Sequence, residues 1–370
     1  MREVLIVAGE VSGDLHAAAF ATALRARRPE LSLVGIGSVR MEAAGVELIE
    51  RSEKLQAMGF VEVIQSVPHH WQLLRRLRAR LASGTVALLV VLDYPGFNLK
   101  LAAAAHDAGV PVLYFITPQV WAWGAGRIAE IKRVVTKAAV ILPFEEPLFR
   151  KAGIDATFVG HPLLDRAADM PDRGEARRRL GLAPDARVLA LFPGSRSQEI
   201  ARHLDTFVAA ARLLERRIPT LQVIVSVAPG MVIDAARCPW PQVSQRPYDV
   251  LRAADAAMCK SGTTTLEAAL AECPLVIAYR TNPITAFLAR RLMKVPYVGL
   301  VNVVAEREVA HEFLQEFMTP DAIANELAPL LDAANPERAR MLAALQSVRA
   351  SLGTPGAAER VAAMADGMLG

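Results

Sequence analysis

Asp93 is a carboxylate at a position suited to acid–base chemistry. It follows the apolar run Val86–Leu92 and begins the sequence Asp-Tyr-Pro-Gly-Phe-Asn, which ends at Asn98. The carboxyl ends of buried parallel strands face the ligand cleft, and a Pro-Gly turn would hold the carboxylate there. Such a group can accept a proton from a substrate hydroxyl. We predict that Asp93 is a general base, although a helix N-cap explains the same residue equally well.

The sequence Gly9-Glu-Val-Ser-Gly-Asp14 follows the first apolar run and is typical of a loop that approaches a ligand closely. Its glycines expose the backbone, and the N-terminus of the following helix offers free N–H groups. It does not match Gly-x-Gly-x-x-Gly, so the fingerprint of a dinucleotide-binding protein is absent. Glu10 and Asp14 are the alternative bases. A strand–helix turn capped by Ser12 or Asp14 is the alternative, but two acids that flank a glycine turn favour a loop that binds a sugar or another hydroxyl group.

Two tryptophans and a histidine follow other predicted strands of this half. Trp121 and Trp123 could stack on a sugar or an acyl chain, or could simply pack between domains. His161 lies between a glycine and a proline. We interpret it as a hydrogen-bonding group for substrate rather than a base, although a lone histidine is more often structural.

Two glycine turns of the C-terminal half combine backbone N–H groups with hydroxyl or cationic side chains. They are Gly194–Arg196 and Ser261–Thr263, and each follows an apolar run and precedes a predicted helix. Both suit a phosphate group. A capping box with Glu267 explains the second turn alone but not the presence of two such turns. Together they predict a nucleoside diphosphate site in which Glu267 accepts hydrogen bonds from the ribose.

These residues are positioned by short apolar runs that alternate with longer amphipathic segments. Such a pattern indicates parallel sheets covered by helices on both faces. We predict two doubly wound, Rossmann-like α/β domains, residues 1–168 and 169–345, which face a cleft, and a helical tail over 346–370. The predicted strands are Val4–Ala8, Leu33–Ile36, Val86–Leu92, Val112–Phe115, Ala138–Leu142, Val188–Phe192, Val223–Val227, Ala256–Met258 and Leu275–Ala278.

Composition excludes several classes of protein. Of 370 residues, 53% are apolar and 22% are charged, which argues against a disordered chain. Three cysteines cannot form a disulfide framework, so we expect reduced thiols. No apolar run could span a bilayer, so we expect a soluble, cytoplasmic protein. The pI near 9.1 suits phosphate-bearing partners without indicating nucleic acid. The sequence contains no typical metal-binding motif, so we expect neither a catalytic metal nor a cofactor.

A predicted helix over residues 64–81 has apolar side chains on one face and arginines on the other. An ordinary surface helix packed on the sheet explains this pattern. The alternative is an interfacial helix whose apolar face enters a membrane. On that alternative the membrane-contacting residues are Ile64, Val67, Trp71, Leu73, Leu74 and Leu77.

Nine motifs, taken in order, resemble the lipid-A-disaccharide synthase family over about residues 3–330. They are GEVSGD, MGFVEVI, DYPGFN, PQVWAW, LPFE, VGHPL, PGSRSQE, SGTTTLE and VNVVAEREVAHEFLQ. The resemblance implies an inverting glycosyltransferase of the two-domain GT-B type. It would join UDP-2,3-diacylglucosamine to 2,3-diacylglucosamine 1-phosphate (lipid X), giving the β-1,6-linked disaccharide 1-phosphate and UDP. It also implies no metal, attachment to the inner face of the cytoplasmic membrane, and a homodimer that exchanges C-terminal segments or a tail that packs back on the N-terminal domain.

The motifs and the resemblance together predict roles for individual residues. The acceptor would contact Ser12, Gly13, Asn98, Trp121, Trp123 and His161. The UDP-sugar would contact Gly194, Ser195, Arg196, Glu199, Ser261, Gly262, Thr263, Glu267, Asn302, Glu312 and Gln315. This chain departs from the usual family pattern at Gly96, Gln119, Val301 and Ala310–His311, at the rims of the motifs. The alternative functions are a UDP-N-acetylglucosamine 2-epimerase-like enzyme and a nucleotide-sugar-binding protein without catalysis.

Overall fold

The computed structural model describes residues 2–9, 11–55, 60–122, 126–293 and 295–370. At residues 11, 12, 60–68, 288–290 and 292 the description covers the backbone only. The chain divides into two compact units. Unit 1 comprises Met1–Pro162 and Gly353–Gly370, and unit 2 comprises Leu163–Leu352. The predicted boundary at residue 168 therefore lies inside unit 2.

Unit 1 contains a sheet of seven parallel strands in the order β3-β2-β1-β4-β5-β6-β7. The central strands are buried on both faces, as their continuous apolar sequences predict. The strands are β1 (Glu3–Ala8), β2 (Ser32–Gly37), β3 (Glu47–Arg51), β4 (Val86–Leu92), β5 (Val112–Phe115), β6 (Lys137–Val140) and β7 (Ala156–Phe158). The helices are α1 (Val11–Arg27), α2 (Val39–Ala43), α3 (Phe60–Ala82), α4 (Pro95–Asp107), α5 (Arg127–Val134), α6 (Glu145–Lys151) and, at the end of the chain, α16 (Ala357–Leu369), with a 3-10 turn at Ser52–Leu55.

Unit 2 contains a sheet of six parallel strands in the order β10-β9-β8-β11-β12-β13. Its strands are β8 (Arg187–Phe192), β9 (Leu221–Val227), β10 (Gln242–Ser244), β11 (Ala256–Lys260), β12 (Leu275–Tyr279) and β13 (Glu312–Leu314). Its helices are α7 (Leu163–Arg166), α8 (Arg173–Leu180), α9 (Ser197–Arg217), α10 (Pro247–Ala253), α11 (Thr264–Leu270), α12 (Pro283–Leu292), α13 (Leu300–Ala305), α14 (Pro320–Leu330) and α15 (Pro336–Ser351), with a 3-10 turn at Gln315–Phe317. The predicted class, two parallel-sheet α/β domains, is confirmed.

Each sheet has a point at which the strand order reverses. In unit 1 it lies between β1 and β4, and in unit 2 between β8 and β11. The loops that leave the carboxyl ends of two such strands diverge to opposite sides and leave a crevice in which ligands bind. The fold therefore places the loops after Ala8 and Leu92 side by side, and likewise the loops after Phe192 and Lys260.

The apolar face of α3 packs into the core of unit 1. Leu73, Leu74 and Leu77 are buried in one cluster with side chains of β1, β4 and α4. The prediction that these leucines contact a membrane is wrong, because their apolar surface is already covered by protein. The side chains of Ile64 and Val67 lie outside the described groups. Trp71 is 62% exposed.

The last helix returns to unit 1 and covers α1. Val361, Ala362 and Ala365 are buried in one cluster with Phe20 and Leu24. Polar contacts also hold α16 in place. The Arg28 guanidinium, just after α1, lies 2.5 Å from an Asp366 carboxylate oxygen, and Arg2, just before β1, donates to the Leu369 carbonyl. In the part of the chain that the structure describes, no helix is long and apolar enough to cross a membrane.

Candidate functional site

The two glycine turns of unit 2 begin side by side. Phe192 at the end of β8 pairs with Cys259 of β11, so the turn after each strand starts at the same level of the sheet. Gly194 has φ 137°, and a Cβ there would lie 2.6 Å from the Cβ of Glu199. A larger residue at 194 would therefore push the first turn away from α9. The prediction that the two turns cooperate gains its geometric basis from this adjacency.

Glu199, in the first turn of α9, links the two turns. Its Oε2 accepts a hydrogen bond from the Ser195 N–H at 2.9 Å, and its Oε1 lies 3.0 Å from the Lys260 ammonium. Burial alone would raise the pKa of this carboxyl group. The Lys260 ammonium and the Ser195 N–H outweigh burial and lower the pKa overall, so Glu199 is ionised.

Several groups of the turns remain exposed to solvent. The Arg196 side chain is 71% exposed, although its guanidinium lies 3.5 Å from Glu199, and Thr263 is exposed as well. By contrast, the Ser261 hydroxyl is buried and donates to the Val298 carbonyl at 2.8 Å. A diphosphate at these turns would therefore meet a guanidinium and backbone N–H groups rather than the Ser261 hydroxyl.

Glu267 lies inside unit 2, on α11. Its Oε1 lies 3.3 Å from a guanidinium nitrogen of Arg166, and the ring of Tyr248 lies beneath the same guanidinium. Burial raises the pKa of Glu267, and the positive charge of Arg166 opposes this shift. Arg166 thus holds in place the carboxylate that the sequence predicts to bind ribose.

The Asn302 side chain is buried and braces the segment that follows α13. Its Nδ2 donates to the Ala310 carbonyl and to Glu312 Oε1, at 2.7 and 2.9 Å. Its Oδ1 accepts from the N–H groups of Val309 and Ala310. The predicted donor contact of this side chain is wrong, because its polar atoms already bind protein groups and none of its surface is exposed.

Glu312 and Gln315 also bind neighbouring backbone. The Glu312 carboxylate accepts from the N–H groups of Val298 and Gly299, just before α13. The Gln315 amide pairs with the backbone of Thr281. These residues brace the loops after β12 and before α13. Their predicted contacts with UDP remain predictions.

Asp93 is held by its backbone at the reversal point of unit 1. Its carbonyl accepts from the Tyr114 hydroxyl at 2.8 Å and from Asn98 Nδ2 at 2.7 Å, and its N–H donates to the Ile116 carbonyl. Its φ of 46° is in the left-handed region, where a non-glycine residue is uncommon. The carboxylate is half-buried, and burial raises its pKa against the opposing effect of the Tyr94 N–H. A higher pKa makes it a stronger base.

Asp14 has a structural role. Its carboxylate is buried and accepts from the N–H groups of Ser38, Arg40 and Met41, at 2.6, 3.3 and 3.3 Å. It therefore caps the N-terminus of α2, the helix that connects β2 to β3. The prediction of Asp14 as an alternative base is wrong for this reason. Glu10 and the side chain of Ser12 lie outside the described groups, and Gly13 lies in the first turn of α1.

Asn98 is fully buried behind Asp93. Its Nδ2 donates to the Leu92 and Asp93 carbonyls, so it fixes the bend between β4 and α4. The expectation that Asn98 contacts the acceptor is therefore corrected. It is a positioning residue for Asp93.

Trp121 packs inside unit 1 and does not present its ring to a ligand. Its indole N–H donates to Glu145 Oε1 at 3.0 Å, and Phe144 meets the ring edge-to-face at 5.3 Å. The predicted stacking of Trp121 on a sugar or acyl chain is wrong, because the ring is buried. Trp123 lies outside the described residues.

His161 is buried at the end of unit 1. Burial, with a smaller contribution from His16, lowers its pKa to about 3, so the imidazole is neutral at neutral pH. This is compatible with the prediction of a hydrogen-bonding group rather than a charged one.

Lys260 and His203 also belong to the site, although the sequence motifs do not predict them. Lys260 is the last residue of β11 and ends beside Glu199, and His203 Nδ1 lies 2.6 Å from the Glu199 carbonyl. The position of Lys260 in the sequence is a signal that could have predicted its role. Lys260 is the strand-end residue directly before a glycine turn, where side chains face the ligand crevice.

Comparisons with known proteins identify the family of the chain. Residues 4–360 match the model of the lipid-A-disaccharide synthetase family. The lipid-A-disaccharide synthase of Trichlorobacter lovleyi is 42% identical over 371 residues, which cover 98% of this chain and 96% of that relative.

Solved structures show the same fold at low sequence identity. A UDP-N-acetylglucosamine 2-epimerase from Listeria monocytogenes, described as putative, is 12% identical, with a TM-score of 0.64 and coverage of 98% of this chain and 95% of that one. The calicheamicin glycosyltransferase CalG4 is 17% identical, with a TM-score of 0.63 and coverage of 100% and 98%. The fold is of the GT-B type. With the family match over nearly the whole sequence, the chain belongs to the lipid-A-disaccharide synthase family of glycosyltransferases.

Proposed function

We propose that this protein is an inverting glycosyltransferase that uses two acylated sugars. The donor is UDP-2,3-diacylglucosamine and the acceptor is 2,3-diacylglucosamine 1-phosphate. The products are the β-1,6-linked disaccharide 1-phosphate, an intermediate of lipid A biosynthesis, and UDP. Family membership supports the reaction. The observation that carries the proposal is the adjacency of two glycine turns at the reversal point of unit 2.

The donor half binds UDP through fixed hydrogen-bond donors. Arg196 and the backbone N–H groups at Ser261–Thr263 hold the diphosphate, and Glu267 accepts from the ribose hydroxyls. These donors need no reorganisation when negative charge develops on the departing UDP. Loss of one such donor commonly reduces the rate by about 10²-fold or more.

The acceptor half supplies the base. The primary hydroxyl oxygen of the acceptor attacks the anomeric carbon of the donor, and the bond from that carbon to UDP breaks with its electron pair on the diphosphate oxygen. Asp93 takes the hydroxyl proton as the new bond forms, and Glu10 is the alternative base. A single displacement inverts the anomeric configuration. Asn98 and Tyr114 act through Asp93, because both donate to its carbonyl.

We further propose a cytoplasmic protein attached peripherally to the inner face of the cytoplasmic membrane. Support comes from α3, where Trp71 is 62% exposed and the Arg75 guanidinium lies 5.6 Å above its ring. Such a pair can bury an aromatic ring among headgroups while the cation meets phosphate. A homodimer is proposed on the family resemblance alone.

The reaction is tested by incubating the protein with both acylated substrates and following products by mass spectrometry. We expect UDP and a disaccharide 1-phosphate in equal amounts, and UDP release only when the acceptor is present. UDP release without the acceptor favours the epimerase alternative. Binding of the UDP-sugar without any turnover favours the non-catalytic one.

Asp93→Asn tests the base. We expect kcat to fall by about 10²- to 10⁴-fold, because proton transfer by a positioned base contributes rate of this order. UDP affinity, measured by calorimetry, should stay unchanged, because the turns of unit 2 are intact. Asp107→Asn, at an exposed carboxylate of unit 1, is the control. A normal kcat for Asp93→Asn would place the base elsewhere.

A further inference from the structure

Lys260 lies between the two glycine turns of unit 2, and the proposed reaction gives it no role. It is the last residue of β11, and its ammonium lies 3.0 Å from Glu199 Oε1. The ring of Tyr279, at the end of the neighbouring strand β12, lies 5.5 Å from the same nitrogen. The side chain is 20% exposed, so the charge is sheltered but still reachable.

The ammonium lies within reach of both turns. A Cβ placed on Gly262, in the second turn, would lie 3.7 Å from the Lys260 nitrogen. The Glu199 carboxylate that faces Lys260 also accepts the Ser195 N–H of the first turn. One positive charge is thereby positioned beside the N–H groups of both turns.

The position of Glu199 is itself secured. His203, one helical turn further along α9, is within 2.6 Å of the Glu199 carbonyl through Nδ1, and its Nε2 accepts from the Arg280 N–H at 2.9 Å. Tyr279 stacks on the same imidazole. Glu199 and Lys260 are thus held from α9 on one side and from β12 on the other.

We propose that Lys260 binds the diphosphate of the UDP-sugar and neutralises charge on UDP as it departs. The inference rests on the proposed function and adds a second cation to Arg196. An ammonium has three N–H donors, and Glu199 needs only one of them. The others can reach phosphate oxygens above Gly262. A cation in a partly water-excluded site interacts more strongly with such oxygens than one in bulk solvent.

The rival interpretation is that the Lys260–Glu199 pair only supports the fold. The two interpretations differ in which ligands lose affinity when the charge of Lys260 is removed. A diphosphate contact affects UDP and leaves uridine unaffected. A merely structural role deforms the turns, and also α11 with Glu267, and weakens both ligands.

The test is Lys260→Met, with UDP and uridine titrated separately by calorimetry. We expect UDP affinity to fall about 10- to 100-fold, the range for loss of a hydrogen bond to a charged group, with uridine affinity unchanged. Lys260→Arg should restore part of the UDP affinity, because it keeps the charge. Lys151→Met, which removes an exposed cation of unit 1, is the matched control and should leave both affinities unchanged.

An equal loss for UDP and uridine, or no loss for either, overturns the proposal. The ratio of the two affinities is read within each variant, so a moderate loss of folded protein does not affect it. Failure of the unaltered protein to bind UDP overturns the proposed function as well. If the unaltered protein binds UDP and Lys260→Met binds it with the same affinity, only the proposed role of Lys260 is overturned.

Discussion

At the scale of single residues, the carboxylates of unit 1 differ in what faces them. The Asp14 carboxylate accepts hydrogen bonds from three backbone N–H groups and caps α2. Asp93 is half-buried at a strand end, and burial raises its pKa. Glu145 is enclosed more fully, and burial raises its pKa to about 7 although the Leu142 and Trp121 N–H groups oppose the shift. Residue type alone does not separate a helix cap, a proposed general base and a buried acid.

Glu145 gives a prediction about pH and stability. Its pKa is about 7 when folded and 4.5 as a model value, so the folded state binds the proton more tightly than the unfolded chain. The free energy of unfolding therefore falls as pH rises from about 4.5 to about 7, by roughly 3 kcal/mol. Glu145→Gln should remove this part of the pH dependence, because an amide does not titrate between these pH values.

Urea denaturation at pH 5 and pH 8 measures this effect. The change in unfolding free energy between the two values should be smaller in Glu145→Gln than in the unaltered protein. Glu47→Gln, at an exposed position, is the control and should retain the full pH dependence. An identical pH dependence in Glu145→Gln would contradict the assignment of a raised pKa.

At the scale of elements, α3 shows how one helix divides its roles. Its leucines fill the core beneath it, while Trp71 and Arg75 face away. Hydropathy patterning predicts an amphipathic helix but does not say whether protein or lipid covers the apolar face. Packing against β1, β4 and α4 decides that question for the described leucines. Experiments on these two faces should have different outcomes.

Leu77→Ser addresses the buried face. We expect it to lower the free energy of unfolding by about 3 kcal/mol or more, because it opens a cavity and buries a hydroxyl. Thermal or urea denaturation measures the loss. Arg78→Ser, at the exposed neighbour, should cost little. A stable Leu77→Ser variant would contradict the burial of this side chain.

Trp71→Ser addresses the exposed face. We expect the variant to fold normally and to sediment less with vesicles that contain anionic lipid, because the interfacial ring is lost. Gln72→Ser, at the adjacent exposed residue, is the matched control. Unchanged sedimentation of Trp71→Ser would exclude this ring as a membrane anchor.

At the scale of the whole molecule, the chain completes unit 1 only at its C-terminus. It leaves unit 1 at Pro162, builds unit 2, and returns at Gly353. The returning helix α16 buries Val361, Ala362 and Ala365 against α1 and makes an ion pair through Asp366. Stability of unit 1 therefore depends on the last residues of the sequence.

Removal of residues 353–370 should destabilise unit 1 selectively. We expect a loss on the order of several kcal/mol, because part of the core of unit 1 becomes exposed. Hydrogen exchange read by mass spectrometry should show faster exchange in α1 and β1, with unit 2 strands unchanged. Glu359→Ala, an exposed change in the same helix, serves as the control. Unaltered protection of α1 in the shortened chain would contradict this dependence.

The central strands of both sheets follow from sequence, and the edge strands do not. β1, β4, β8 and β11 are continuous apolar runs because they are buried on both faces. The edge strands β3, β7, β10 and β13 are not among the predicted strands. They are short, and most of their residues are partly exposed, so they lack an apolar signal.

The sequence by itself determined the family and the class of fold, and it predicts two turns for a diphosphate, because each motif consists of residues close together in the chain. Tertiary structure alone decided which polar side chains are free for a ligand. Asp14 and Asn302 are occupied by backbone groups of other segments, and Trp121 is covered by Glu145 and Phe144. The Lys260 ammonium is positioned by an ion pair with Glu199, which lies on α9. The physical reason is that hydrogen bonds and burial join residues far apart in sequence, so the partners of a side chain are known only once the chain has folded.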